Sequence, residues 1–188
     1  GQLAGLQMTT GYANTAIGQQ ALYSVTTGVN NVALGRNANS TTTTGSSNIV
    51  IGENAQPSSA TVSQQITLGN QHVNSLRCNV QTISSLSDGR DKTDVIDLPE
   101  SLDFINELRP VKFKWASRDG EQGKDGLYEH GFIAQDLQAA QKENDADYLN
   151  IVLDDNPDKL EASYGKLVPI LVKAVQELST EITALKAA

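Results

Sequence analysis

The sequence predicts an α+β fold in two parts, an N-terminal repetitive β stalk and a small α+β domain that ends in a long coiled-coil helix. Three observations lead to this prediction. A 17-residue repeat occupies the first third of the chain, charged residues become frequent only after residue 86, and apolar residues near the C terminus follow helical spacing. We therefore divide the 188 residues into a stalk, residues 1–86, and a domain, residues 87–188.

The stalk repeat aligns without gaps and contains one short strand in each copy. Three copies run from Thr9 to Gly18, 26 to 35 and 43 to 52, and a weaker fourth copy ends at Gly69. Side chains alternate within each copy as in a strand, and the flanking Asn and Gly are turn residues. One strand face carries Thr15, Ile17, Val32, Leu34, Ile49, Ile51, Ile66 and Leu68, and the other carries Ala16, Ala33, Val50 and Thr67.

The apolar side chains of these four strands form only a narrow stripe. Burial of this stripe within one chain would not offset the loss of backbone entropy on folding, which costs about 1 to 2 kcal/mol per residue. We expect three chains to wind about a common axis and bury it, which makes the stalk an intertwined homotrimer. A single-chain solenoid is the alternative.

The chain is acidic, with a formal net charge of −8. The stalk carries +1 from Arg36, Arg77 and Glu53, whereas the domain holds 12 Lys or Arg and 21 Asp or Glu and carries −9. An acidic chain without a basic cluster repels phosphate backbones, so no nucleic acid is expected as a partner. No apolar run reaches the roughly 20 residues of a membrane span, and no membrane association is expected. Cys78, the single cysteine, is predicted to be a small, partly buried side chain.

The domain shows helix and strand patterns in alternation. A short helix with Leu102, Phe104, Ile105 and Leu108 is predicted after Pro99 and before Pro110, and a second helix at 134–142. A strand is predicted at 111–115 with Val111, Phe113 and Trp115 inward, paired as a hairpin with a strand at 128–133 across the loop 117–126; another strand is predicted at 149–153.

The tail predicts a long helix from about Ser163 onward. Its apolar residues step by 4, 3, 4 and 3, which is the seam of a coiled coil of about two heptads. So short a helix is marginal alone, and three copies meeting at this seam would be stable. The seam consists of Leu171, Val175, Leu178, Ile182 and Leu185.

The junction of stalk and domain carries the candidate catalytic residues. It reads Ser87-Asp88-Gly89-Arg90-Asp91-Lys92, with a serine and a lysine five residues apart. A serine hydroxyl needs a base to become a nucleophile, and a lysine amine, whose pKa is ordinarily about 10.4, serves only when burial or nearby positive charge favours its neutral form.

This hexapeptide and three later segments together resemble one family. The later segments are Leu108-Arg109-Pro110-Val111-Lys112-Phe113-Lys114-Trp115, then Gly131-Phe132-Ile133-Ala134-Gln135-Asp136, and the stretch from Leu167 to Leu178. The four resemble, in order, the motifs of the C-terminal intramolecular chaperone domain of phage tail fibres and tailspikes, also called the self-cleaving S74 peptidase domain. Asp136 stands where the family usually has Glu.

The resemblance implies that the domain trimerises, guides assembly of the fibre ahead of it and then releases itself by autoproteolysis. Carried over to this chain, the scissile bond is Leu86–Ser87, Ser87 is the nucleophile and Lys92 the general base. The protein would be a single-turnover serine endopeptidase of a virion tail fibre, assembled in the host cytoplasm, where the released domain stays. Residues 1–86 would form the shaft or tip that contacts a host receptor or glycan.

Assembly of the trimer is expected to bury Lys92 and so to start cleavage. Arg90 is expected to add positive potential, and Asp88 and Asp91 to point away from Lys92, because their charge would hold its proton. The oxyanion donors are expected to be backbone N–H groups.

Other patterns compete less well. Ser163 and Lys166 have the Ser-x-x-Lys spacing of penicillin-binding enzymes without their partner motifs, and a helix start is the preferred interpretation. His72 and His130 are too few for a metal site in one chain, and neither a metal nor another cofactor is expected.

Two other functions remain as alternatives. The repeat and the seam alone fit a non-cleaving trimeric adhesin stalk with a coiled-coil anchor. Membrane-bound transcription regulators carry a related self-cleaving domain, but this chain shows neither a membrane span nor a basic DNA-binding region.

Overall fold

A computed structural model describes residues 1–80, 82–116 and 126–188, so the predicted hairpin loop lies, apart from Gly126, outside the described residues. The chain forms two compact units. The first contains Gly1–Leu76 with two short later segments, and the second contains Arg77–Lys114, Tyr128–Asp154 and Leu160–Ala188.

The first unit is a parallel β coil in which each turn is one 17-residue repeat. Its strands are β1 (Thr15–Ile17), β2 (Val32–Leu34), β3 (Ile49–Ile51) and β4 (Ile66–Leu68). They pair in sequence order, in parallel, with equivalent residues of successive repeats in register. The strand positions predicted from the repeat are confirmed.

The interior of the coil is formed by one strand face together with loop residues. Ala33 and Val50 point inward and are fully buried, whereas the other strand face is exposed, with Ile17 at 59% and Ile66 at 66%. The loops between strands complete the core with Ala21, Leu22, Val25, Ala38 and Ala55, all fully buried.

A ladder of asparagine side chains joins successive coils. The Oδ1 atoms of Asn14, Asn31 and Asn48 accept from the backbone N–H one repeat later, at 2.9, 3.0 and 3.0 Å. Their Nδ2 groups donate to backbone carbonyls of the next repeat at 2.8 to 2.9 Å. The ladder ends at Gln65, whose longer side chain bonds Ser58 instead.

A glycine at the third position of each of the first three copies permits this close stacking. A Cβ at Gly45 would lie 2.1 Å from the carbonyl oxygen of Val62 in the next coil. The fourth repeat has Val62 at the equivalent position, and no further repeat follows it in the sequence.

This pairing is that of the single-chain solenoid, the alternative that the sequence left open, and intertwining of three chains stays a prediction. Among the described residues every sheet contact joins successive repeats of the same chain. The prediction counted only the strand stripe as apolar and missed the loop residues that fill the interior. Association of three such coils stays a prediction.

The second unit packs helices against two small hairpins. Its helices are α1 (Leu102–Glu107), α2 (Ala134–Glu143) and α3 (Val168–Ala187), and its strands are β5 (Val111–Phe113), β6 (Glu129–Gly131), β7 (Val152–Leu153) and β8 (Glu161–Ala162). β5 pairs with β6 and β7 with β8, both antiparallel. The core consists of Phe104, Leu137, Ala140, Ala146, Ile151, Val152, Leu167 and Ile170.

The predicted helices and the first hairpin are confirmed. The tail predicted as helical from about Ser163 begins with a 3₁₀ turn at Tyr164–Leu167 and continues as α3, whose first turn contains Pro169. Two corrections concern the strands. Trp115 was predicted inward, but β5 ends at Phe113 and Trp115 is 55% exposed. The strand predicted from residue 149 begins at Val152, after a 3₁₀ turn.

The seam of α3 lies outside the core of the domain. Ile170 and Ala174 face the core, whereas Leu171, Val175, Leu178, Ile182 and Leu185 are exposed by 39 to 77%. A separate face of the same helix is therefore available to other copies. Within the described residues, no helix has the length and apolar content that crossing a membrane requires.

Candidate functional site

The Ser87–Lys92 hexapeptide is built around a single 3₁₀ turn. The turn spans Gly89–Asp91 and is closed by two backbone hydrogen bonds, from Asp91 N to the carbonyl of Asp88 at 3.2 Å and from Lys92 N to that of Gly89 at 3.3 Å. Asp88 begins the turn in extended conformation, and its carboxylate accepts from Arg90 N at 2.9 Å. This is the N-cap geometry expected of an aspartate at that place.

The turn brings the two candidate catalytic side chains together. Lys92 Nζ donates to Ser87 Oγ at 2.7 Å. That is the direct contact a lysine needs in order to take the serine proton once the amine is neutral. The predicted pair is therefore in contact, and its catalytic role stays a prediction.

Arg90 and Asp88 form a forked ion pair on the same turn. Asp88 accepts from Arg90 Nε at 3.0 Å and from Arg90 Nη2 at 2.6 Å. The Arg90 hydrogen bonds hold the pKa of Asp88 below its ordinary value of 3.8, and Asp88 in turn raises the pKa of Arg90. Arg90 was expected to add positive potential; instead its charge is largely offset by Asp88.

Asp88 faces Arg90 and not Lys92, as the sequence predicted for it. Within the described part of the chain, no ion pair joins Asp88 or Asp91 to Lys92. The sequence alone did not predict that Asp88 caps the turn and also pairs with Arg90. The capping bond could have been expected, because an aspartate side chain often accepts from the backbone N–H two residues later.

The bond between Leu86 and Ser87 is open to solvent. All residues from 82 to 97 are exposed, and Leu86 is fully exposed. Among the described residues no other element covers Ser87 and Lys92, and the proposed burial of Lys92 would require a further contact.

The later motif segments contact one another within the domain. Arg109 Nη2 lies 2.8 Å from Asp136 Oδ2, which links the segment before β5 to the first turn of α2. Tyr164, just before α3, accepts from Phe132 N at 3.1 Å through its hydroxyl. A Cβ at Gly131 would lie 2.6 Å from that hydroxyl, which explains the glycine there.

The remaining candidate residues from the sequence do not form a second pair like Ser87 and Lys92 among the described residues. Ser163 and Lys166 lie at the 3₁₀ turn that starts the tail helix, as the preferred interpretation predicted. Cys78 was predicted to be partly buried but is exposed. Among residues 1–80, 82–116 and 126–188, no three metal-ligating side chains are grouped to hold an ion.

The comparisons with known proteins agree with the motifs in this part of the chain. Residues 87–145 match the family model described as chaperone of endosialidase. No curated protein and no solved structure matches the chain. The match begins at Ser87 and includes the hexapeptide, the β5–β6 hairpin and α2. The likeness to the chaperone of endosialidase family therefore extends over residues 87–145.

Proposed function

We propose that residues 87–188 are the intramolecular chaperone of a phage tail fibre or tailspike, which assembles as a homotrimer and then cuts itself from residues 1–86. The observation that carries the proposal is the 2.7 Å contact between Lys92 Nζ and Ser87 Oγ at the first residue of the family match. A chaperone role alone would not need a nucleophile and a base in contact at this boundary.

The chemistry follows from the two side chains and the bond beside them. Neutral Lys92 takes the Ser87 hydroxyl proton, and Ser87 Oγ attacks the carbonyl carbon of Leu86. The tetrahedral intermediate expels the Ser87 amine, which receives a proton, and Leu86 becomes esterified to Ser87. Water then hydrolyses the ester, leaving the Leu86 carboxylate on one fragment and a free Ser87 amine on the other.

Two exposed apolar faces support the homotrimer. The outer strand face of the coil exposes Ile17, Ile49, Ile51, Ile66 and Leu68, and the seam of α3 is exposed in the other unit. Continuous exposed apolar surfaces of this kind are typical of interaction sites. Three copies would cover both faces, and the assembled environment of Lys92 would favour its neutral form.

The proposed setting is a virion. The coil would remain in the tail fibre and contact a host receptor or glycan, and the released domain would remain in the host cytoplasm. A non-cleaving adhesin stalk is the second candidate, favoured by the same two apolar faces, and it predicts an intact chain.

Expression of the whole chain with Ser87→Ala and Lys92→Ala variants tests the proposal. Division of the 20.1 kDa chain by residue number predicts fragments of about 9 and about 11 kDa for wild type, and one band for each variant. Ser85→Ala, the same change two residues upstream, is the matched control and should cleave like wild type. An intact wild-type trimer would favour the adhesin stalk.

A further inference from the structure

The β5–β6 hairpin carries an exposed basic face on an otherwise acidic domain. Lys112 lies opposite His130 in the antiparallel register, and all three of Lys112, Lys114 and His130 are exposed. Side chains alternate across a strand, so Val111, Phe113 and Gly131 lie on the other face, which is partly buried. We call Lys112, Lys114, Tyr128 and His130 the basic hairpin face.

Both lysines of this face rest on one aromatic ring. Lys112 Nζ lies 4.3 Å and Lys114 Nζ 4.7 Å from the ring centroid of Tyr128. Each ammonium is attracted by the ring, but the two positive charges repel each other. Among the described residues neither lysine forms an ion pair.

Three acidic side chains without a cationic partner lie close together in one short stretch of the same unit. Glu143 ends α2, Asp145 follows it, and Asp147 begins the next 3₁₀ turn. All three are exposed, and none of them pairs with a cation in the part of the chain that the structure describes. We call residues 143–147 the acidic segment.

Each domain has a formal net charge of −9, so electrostatic repulsion opposes the assembly of three domains. In a cyclic trimer each interface is heterologous, so one patch of a copy meets a different patch of the next copy. Opposite charges at such an interface fix the orientation of the copies and raise the rate of encounter.

From this complementarity we propose that the basic hairpin face of one copy docks against the acidic segment of the next copy. The docking rests on the proposed homotrimer and specifies how its domains are oriented. The net negative charge of the domain favours a carboxylate partner on a second copy over nucleic acid or anionic lipid, whose dense negative charge the rest of the domain repels.

A charge swap in the Ser87→Ala chain tests the docking without interference from cleavage. Lys112→Glu with Lys114→Glu, or Glu143→Lys with Asp147→Lys, should each weaken the trimer about tenfold at low salt, measured as its dissociation concentration by sedimentation. The four changes together should restore it to near the parent value. Asp145 is left unchanged because its φ of 52° suits aspartate better than lysine.

Matched charge changes away from this interface serve as the control. Arg77→Glu with Lys166→Glu gives the same change in net charge as the reversal of the two lysines, at two exposed residues outside the seam, and should leave the dissociation concentration within about twofold. The weakening by the reversed pairs should fade near 1 M salt, where the Debye length is about 3 Å. Circular dichroism of each variant checks that it has folded.

The outcomes separate the docking from the proposed function. The docking is overturned if neither reversal changes the dissociation concentration of the trimer, or if the variant with all four substitutions dissociates as readily as the reversed pairs. Cleavage of wild type would still support the proposed function. An uncut wild-type trimer overturns self-cleavage while the swap still decides the docking. A monomeric wild type overturns both. A last outcome also overturns the docking. If wild type binds anionic vesicles or single-stranded DNA, and Lys112→Glu with Lys114→Glu abolishes that binding but leaves the trimer unchanged, the face binds a phosphate ligand.

Discussion

The contact between Ser87 and Lys92 depends on a residue that touches neither atom. Asp88 caps the turn that reverses the chain between them, and Arg90 binds both oxygens of the same carboxylate. The family resemblance of four segments, and not the spacing of Ser87 and Lys92 alone, predicted that these two residues form a pair. The sequence did not show how Arg90 would be used, because its partner depends on the conformation of the turn.

Asp88→Ala should slow self-cleavage about fivefold, because it removes the cap that holds the turn. Gly89→Ala is the matched control: a Cβ there meets no atom within 4 Å, so its rate should equal that of wild type. Both rates come from timed gels of freshly purified chain. Equal cleavage of wild type and Asp88→Ala would show that the cap does not position the dyad.

The charge on Asp88 also sets a lower pH limit for the turn. The hydrogen bonds from Arg90 lower the pKa of the Asp88 carboxyl from its ordinary value of 3.8. The ion pair therefore stabilises the turn fully at pH values above 3.8, and this stabilisation is lost as the pH falls through the lowered pKa of the folded state. We expect the Arg90 amide resonance of the Ser87→Ala chain to be constant from pH 8 to pH 5 and to shift only below pH 4. A shift centred above pH 5 would contradict the ion pair.

At the scale of elements, the strand positions were predictable because each strand lies between an Asn, or Gln65 in the fourth copy, and a Gly at a fixed 17-residue spacing. The single-chain coil was kept only as the alternative, because its core comes from loop residues such as Leu22 and Val25, which have no strand periodicity. β8 was missed for a related reason, since two residues are too few to show alternation. Trp115 was misplaced because alternation continues in the sequence beyond the end of β5.

The interior of the second repeat contains a polar defect. Asn39 and Thr42 are fully buried where the preceding repeat has Leu22 and Val25, and Asn39 Nδ2 has no hydrogen-bond partner. An unsatisfied buried donor costs about 1 to 3 kcal/mol. Asn39→Leu with Thr42→Val should therefore raise the melting temperature of the coil by a few degrees. Leu22 adopts the same positive φ as Asn39, so the backbone accepts leucine there.

The matched control makes the same chemical change in the ladder. Asn48→Leu removes the acceptor for Gln65 N and the donor to the carbonyl of Val62, so it should lower the melting temperature. Calorimetry on both variants in the Ser87→Ala chain gives the comparison. Changes of the same sign would contradict the distinct roles assigned to Asn39 and Asn48.

The junction of α1 and α3 should respond to acid. Glu177 of α3 accepts from Leu102 N at 3.1 Å, and this bond is the main reason that its pKa is lowered from 4.5. The contact therefore stabilises the domain above pH 4.5 and is lost as pH falls through the lower folded value. Glu177→Gln should lower the melting temperature at pH 7, and the difference from wild type should shrink below pH 4. A difference independent of pH would contradict the charge-assisted bond.

At the scale of the whole molecule, the proposed cleavage would separate a coil that remains in the fibre from a domain that is released. A fibre cut from its folding aid cannot easily refold, so its persistence depends on a high barrier to unfolding. We predict that cleaved fibre resists heat and detergent longer than the uncut Ser87→Ala trimer does. Timed incubation in hot detergent followed by gel analysis measures this, and equal survival would contradict it.

The central claim is that this chain cuts itself between Leu86 and Ser87, and the intact mass of purified wild-type protein tests it most directly. We predict two species of about 9 and about 11 kDa, with the larger beginning at Ser87, and one species of 20.1 kDa for Ser87→Ala. A wild-type chain that is trimeric and still has the single full-length mass would contradict the account.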